Sequence, residues 1–131
     1  TDLDFIWDAS DGLEALEKNN SNPADIIISD MEMPKLDGLG LLKNLKENNV
    51  NAECIIISGQ HESGAPKILE AIRLGAIGFV SKNDDTGQSN LDTMGKALND
   101  LTKSIVKKVK FENINRNKVR IILFIVLTYL K

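Results

Sequence analysis

One cysteine and one histidine in the whole chain exclude several classes of protein at once. Cys54 has no partner for an internal disulfide. Its place inside an apolar run marks it as a core residue of a chain kept in a reducing, cytoplasmic compartment. One Cys and one His cannot build a structural zinc cluster. Long hydrophobic runs are missing too: Ile121 to Leu127 is the longest, far short of the ~20 residues that span a bilayer. The opening Thr1 to Asp8 is acidic and short, and does not read as a signal peptide. No glycine-rich phosphate loop follows any strand, which argues against an enzyme or a flavin-type ligand domain. No Gly-x-Ser-x-Gly segment offers a hydrolase nucleophile. After the last long helical pattern too few residues remain for a DNA-binding domain.

What is present suits an ordinary globular protein. The 131 residues are 42% hydrophobic and 27% charged, enough for one domain with one core. The net charge of −3 conceals an asymmetry. From residue 96 onward nine Lys/Arg face two Asp/Glu, a balance of +7, which leaves −10 on residues 1–95. Because the lysines are spread through a helical pattern, a solvated helix face is preferred over a nucleic-acid or membrane surface.

Along the chain, short β-branched runs alternate with amphipathic stretches. Leu3–Trp7 reads as a strand. Ser10 or Asp11 caps a helix Gly12–Lys18, and Asn19 to Pro23 reads as a loop. Asp25–Ser29 is a buried strand that delivers Asp30. Lys35 to Gly38 is a turn with Asp37 as N-cap, and the helix Leu39–Glu47 follows. Cys54–Ser58 is a second buried strand, His61 lies in the loop after it, and Ala65–Leu74 is a helix stopped by Gly75. Ile77–Ser81 is a third core strand ending at Lys82, followed by a polar loop over 83–89. Steps of three and four from Leu91 through Met94, Leu98, Leu101 and Ile105 to Val109 predict a long helix from Asn90 to about Lys110. Residues 113–117 break it, and Val119–Leu130 reads as a final strand, with a short helix as the alternative. Strands alternating with helices at this pitch predict a doubly wound parallel sheet.

Three consecutive core strands end in Asp30, Ser58 and Lys82, so a parallel sheet carries a carboxylate, a hydroxyl and an ammonium to one edge. Each has a plainer reading: a loop cap, a satisfied hydroxyl, a solvated lysine. Together they suit phosphoryl transfer to an acid, with Asp30 as nucleophile, Lys82 neutralising phosphate oxygens and Ser58 donating a hydrogen bond.

These residues resemble the receiver domain of two-component response regulators. Asp30-Met31-Glu32-Met33-Pro34-Lys35-Leu36-Asp37-Gly38 looks like that family's phosphoacceptor segment, with Ser58, Lys82 and Phe79 at its hydroxyl, lysine and switch-aromatic positions. The runs Ser63 to Ala71 and Leu74 to Val80 look nearest to the regulatory domain of chemotaxis methylesterases. The resemblance implies a flavodoxin-like fold with strand order 2-1-3-4-5. It also implies phosphorelay signalling in which Asp30 takes phosphate from a histidine kinase, with Mg²⁺ as cofactor. Movement of Ser58 and rotation of Phe79 would then change contacts with a protein effector or target.

The chain departs from the family pattern at its start. The first strand and helix are missing, and with them the acidic pair that holds the metal. Of the family's ligands only Asp30 and the backbone carbonyl of Glu32 remain. Asp84 and Asp85 lie on the wrong side of Lys82, and Asn83 stands where the family commonly has proline. An empty central strand position would expose two rows of backbone groups, so residues 119–127 are expected to fill it, within the chain or swapped in a homodimer. The domain reading is therefore a receiver-like unit over 1–112 lacking its first β-α unit, with a strand-like tail over 113–131. The competing function is a degenerate receiver, an interaction or dimerisation module that never takes phosphate.

Overall fold

A computed structural model describes residues 3–32, 35–59, 65–82, 91–112 and 119–124. Nine elements follow in chain order: β1 (Leu3–Trp7), α1 (Gly12–Ser21), β2 (Ile26–Asp30), α2 (Gly38–Glu47), β3 (Glu53–Ser58), α3 (Ala65–Arg73), β4 (Gly78–Ser81), α4 (Leu91–Glu112) and β5 (Val119–Phe124). The five strands form one sheet in the order β1-β5-β2-β3-β4, and every neighbouring pair is parallel.

The β-branched runs form strands because both faces of the sheet are covered. Along β2 and β3 the side chains alternate between two cores. Ile27, Cys54 and Ile56 pack with Ala15, Leu41, Leu42 and Leu45 beneath α1, α2 and α3. Ile26, Ile28, Ile55 and Ile57 pack with Val80, Met94, Ile105 and Val109 beneath α4. Cys54 is buried, and desolvation pushes its thiol up to about 12, so the core reading of this residue holds.

The expected central filler is in place. Residues 119–124 lie between β1 and β2, with Ile121 and Leu123 in register with Ile26 and Ile28, and Val119 with Leu3. Residues 125–127, also assigned to this strand from the sequence, lie outside the described residues. So do the loop carrying His61, the loop over 83–89 with Asp84 and Asp85, the helix start at Asn90 and the break over 113–117.

Other boundaries move by a few residues. α1 continues through Asn19 and Asn20 to Ser21, three residues past the expected end at Lys18. Composition suggests a loop there, but Asn19 is buried and its side-chain oxygen accepts the Ala24 N–H at 2.9 Å. That bond satisfies the buried amide and closes the turn inside the helix end. β2 runs one residue further than expected, through Asp30 itself.

Candidate functional site

Asp30 stands at the carboxyl end of β2, where open α/β sheets present their reactive groups. Its position is set by backbone bonds on both sides. Met31 N–H donates to the Ile57 carbonyl at 2.9 Å, and Gly38 N–H donates back to the Met31 carbonyl at 2.9 Å. The chain thus leaves the strand, turns, and enters α2 against its own starting point. Asp37 caps α2 by accepting the Gly40 N–H at 2.8 Å. Gly38 is required by the close approach, since a Cβ there would lie 2.5 Å from the Asp30 carbonyl oxygen. In the same turn Lys35 adopts a left-handed φ of 66°, and its ammonium lies 3.6 Å from the Asp11 carboxylate.

Lys82, one residue beyond β4, meets Asp30 directly. Its Nζ lies 2.5 Å from Asp30 Oδ2, and both side chains are buried, at 8% and 7% exposure. Low exposure strengthens the attraction and makes either charge costly without the other. The backbone sets the lysine's place, because Lys82 N–H donates to the Ser58 carbonyl at 2.9 Å. Ser58 is buried at the adjoining strand end, in register with Ser81. Phe79 is half-buried on β4, in register with Ile56, and packs against the core beneath α1 to α3. The structure therefore brings Asp30, Ser58 and Lys82 to one edge of the sheet, with Phe79 three residues before the lysine.

Glu32 contributes in a way the sequence did not reveal. Its N–H donates to Asp30 Oδ1 at 3.3 Å, and its carboxylate accepts from Lys67 Nζ on α3 at 2.8 Å. Lys67 is held above its ordinary value by that hydrogen bond and charge. The pair links the phosphoacceptor-like loop to the first turns of α3. No local signal exposes it, because the partners are 35 positions apart.

Receiver domains generally bind Mg²⁺ at this place, but the described residues do not fit such a site. Among them no group of three or more His, Cys, Asp or Glu side chains could hold a metal ion. Where an acidic pair would be needed, β5 ends at Phe124 in register with Ser29. Asp30 itself is engaged by Lys82. Mg²⁺ takes near-octahedral oxygen ligands, and one side-chain carboxylate with the Glu32 carbonyl is a poor set.

Comparison with known proteins agrees with this geometry. Residues 3–94 match the response regulator receiver domain family. A protein-glutamate methylesterase/protein-glutamine glutaminase from Syntrophomonas wolfei is 34% identical over 109 residues, covering 83% of this chain and 29% of the relative. One from Methanospirillum hungatei is 38% identical over 104 residues, covering 79% and 30%. The chain thus spans less than a third of these relatives. Among solved structures, the response regulator domain of Thermotoga maritima CheB is similar at a TM-score of 0.60 and 34% identity, over 76% of this chain and 71% of that one. The chain belongs to the response regulator receiver domain family.

Proposed function

We propose that this chain is a phosphoacceptor in a cytoplasmic phosphorelay, taking a phosphoryl group on Asp30 from the phosphohistidine of a histidine kinase. The observation that carries this reading is the buried Asp30–Lys82 pair at the strand ends, with Ser58 beside it. An Asp30 carboxylate oxygen attacks phosphorus, the phosphorus–nitrogen bond breaks, and the imidazole leaves. Lys82 is then a cation already in reach of the new phosphoryl oxygens, and Ser58 is their hydroxyl donor.

The readout assigned to this switch is a changed face along α3, β4 and α4, moved through Phe79. Leu69 and Ile72 on α3 are 68% and 53% exposed, which suits contact with a protein effector. Similarity to methylesterase regulatory domains makes chemotaxis the preferred setting. A receiver domain is not itself an enzyme, and any esterase activity of a longer protein would reside in another domain. Membrane attachment and direct nucleic-acid binding are not part of this reading. No described helix is long and apolar enough to cross a membrane. The unit carrying the switch is assigned to residues 1–112, with 113–131 as a tail that completes the sheet in the same chain or by a strand swap.

One observation favours a second reading, a degenerate receiver that works by contact alone. Apart from Asp30, the described residues place no carboxylate where the family's metal ligands fall, and metal normally neutralises the developing charge of phosphoryl transfer. Incubation with acetyl phosphate and Mg²⁺, followed by intact mass measurement, separates the two. A slow, low-yield phosphate adduct that disappears in Asp30→Asn is the expected result, since one side-chain carboxylate and a backbone carbonyl hold Mg²⁺ poorly. No adduct on a chain shown to be folded would assign the degenerate role.

A further inference from the structure

The end of the sheet opposite Asp30 carries both an exposed aromatic residue and a groove able to receive one. The groove lies between the carboxyl ends of α1 and α2 and has a volume of about 620 Å³. Leu16, Pro23, Leu45 and Val50 form its apolar part, and Glu17 with four asparagines forms its polar part. Both helices end here, at Ser21 and Glu47, so their last carbonyls add partial negative charge to that of Glu17. Among the described residues no lysine or arginine lines the groove. The two lysines of these last turns bond elsewhere, Lys46 to the Arg73 carbonyl and Lys18 to Glu14 and the Asp8 carbonyl.

The complementary feature is the last turn of α4. Phe111 is 83% exposed, the highest among the large hydrophobic side chains described. Lys107 and Lys110 stand within one turn of it. α4 crosses back from the carboxyl edge of the sheet, so its end reaches the same pole as the groove. Val109 lines a second depression there with Asp25 and Glu53, and this depression shares Val50 with the first. Lys108 Nζ reaches Glu53 at 2.8 Å.

We propose that this pole is a self-association surface, in which Phe111 of one copy enters the α1–α2 groove of a second copy while Lys107 and Lys110 face its Glu17 and helix carboxyl ends. Because aromatic and groove share one pole, a two-fold arrangement buries both phenyl rings in one closed dimer. An exposed aromatic beside charges of one sign, and a groove of mixed apolar and amide lining that carries a carboxylate of the other, is the complementarity such an interface needs. The inference is independent of whether Asp30 accepts phosphate.

Sedimentation velocity on the full chain over a concentration series tests it, at low and high salt and with circular dichroism confirming the fold of each variant. The expected result is a concentration-dependent dimer that weakens in salt. Phe111→Ser and Glu17→Lys should each weaken it by about tenfold or more. An equimolar mixture of the two variants should associate more tightly than either alone, because one intact aromatic still meets one intact groove. A chain that stays monomeric throughout would overturn the proposal and leave the groove to another partner. A dimer indifferent to both substitutions would also overturn it, pointing to another surface such as Leu69 and Ile72.

Discussion

At the scale of single residues, the Asp30–Lys82 pair makes the sharpest prediction. Each charge is buried and compensated by the other, so Lys82→Ala should cost about 3–5 kcal/mol in urea unfolding by stranding the carboxylate. Asp30→Asn with Lys82→Met should cost clearly less than the sum of the two single changes, the signature of direct coupling. Glu14 makes a prediction about pH. Its carboxyl is held at about 2, against an ordinary 4.5, first by the Ser10 hydroxyl and then by Lys18. Depression of the folded value means that the unfolded chain takes up the proton first. The stabilisation is therefore fully present above pH 4.5 and is lost as pH falls towards 2. Acid unfolding of Glu14→Gln should lack this component, and salt should reduce it in the parent, because the side chain is solvent-exposed. The chemical identity of Asp30, Ser58 and Lys82 as strand-end residues was legible from the sequence. The Lys67–Glu32 pair and the burial of Asn19 were not, because each depends on what the fold brings alongside.

At the scale of elements, caps and close approaches decide how the strands meet the helices. Asp11 caps α1 by accepting the Glu14 N–H at 2.9 Å, and Ser10 donates its hydroxyl to Glu14 at 2.7 Å. The Asp11 cap is one of the two that the sequence offers, since caps depend on neighbours three or four positions away, whereas Ser10 serves Glu14 instead of capping the helix. Gly38 carries a constraint of longer range. Gly38→Ala would drive a methyl group into the Asp30 carbonyl, at 2.5 Å. It should destabilise the fold by about 1–3 kcal/mol through forced backbone movement, read as a lower urea midpoint. The same shift should disturb the Asp30–Lys82 contact. Helix propensity alone would favour alanine at this position, so a stabilised variant would contradict the close approach.

At the scale of the whole molecule, β5 joins two parts of a sheet that local sequence would leave apart. It pairs with β1 on one side and β2 on the other. A chain ending after Glu112 would bare the facing edges of both strands, with unpaired N–H and C=O groups and the apolar neighbours Ile26 and Ile28. Such a truncation should lose cooperative unfolding and aggregate, as seen by light scattering. Adding a peptide of residues 113–131 in trans should recover part of the native signal. A truncated chain with unchanged stability would mean that the strand is dispensable.

The sequence by itself determined the class of this protein. β-branched runs with apolar residues on both faces make buried parallel strands, amphipathic steps of three and four make the covering helices, and the three strand ends name their own chemistry. All of these rest on spacing within about twenty residues, which the chain carries in its local pattern. That residues 119–124 enter the sheet between β1 and β2 was expected from the central gap in the family's strand order; only the tertiary structure decided their register with both neighbours, that Lys82 is buried against Asp30 rather than solvated, and that Glu32 reaches Lys67. Those outcomes depend on which backbone edges are left unpaired and which charges are dehydrated together, quantities that exist only once the strands have been assembled.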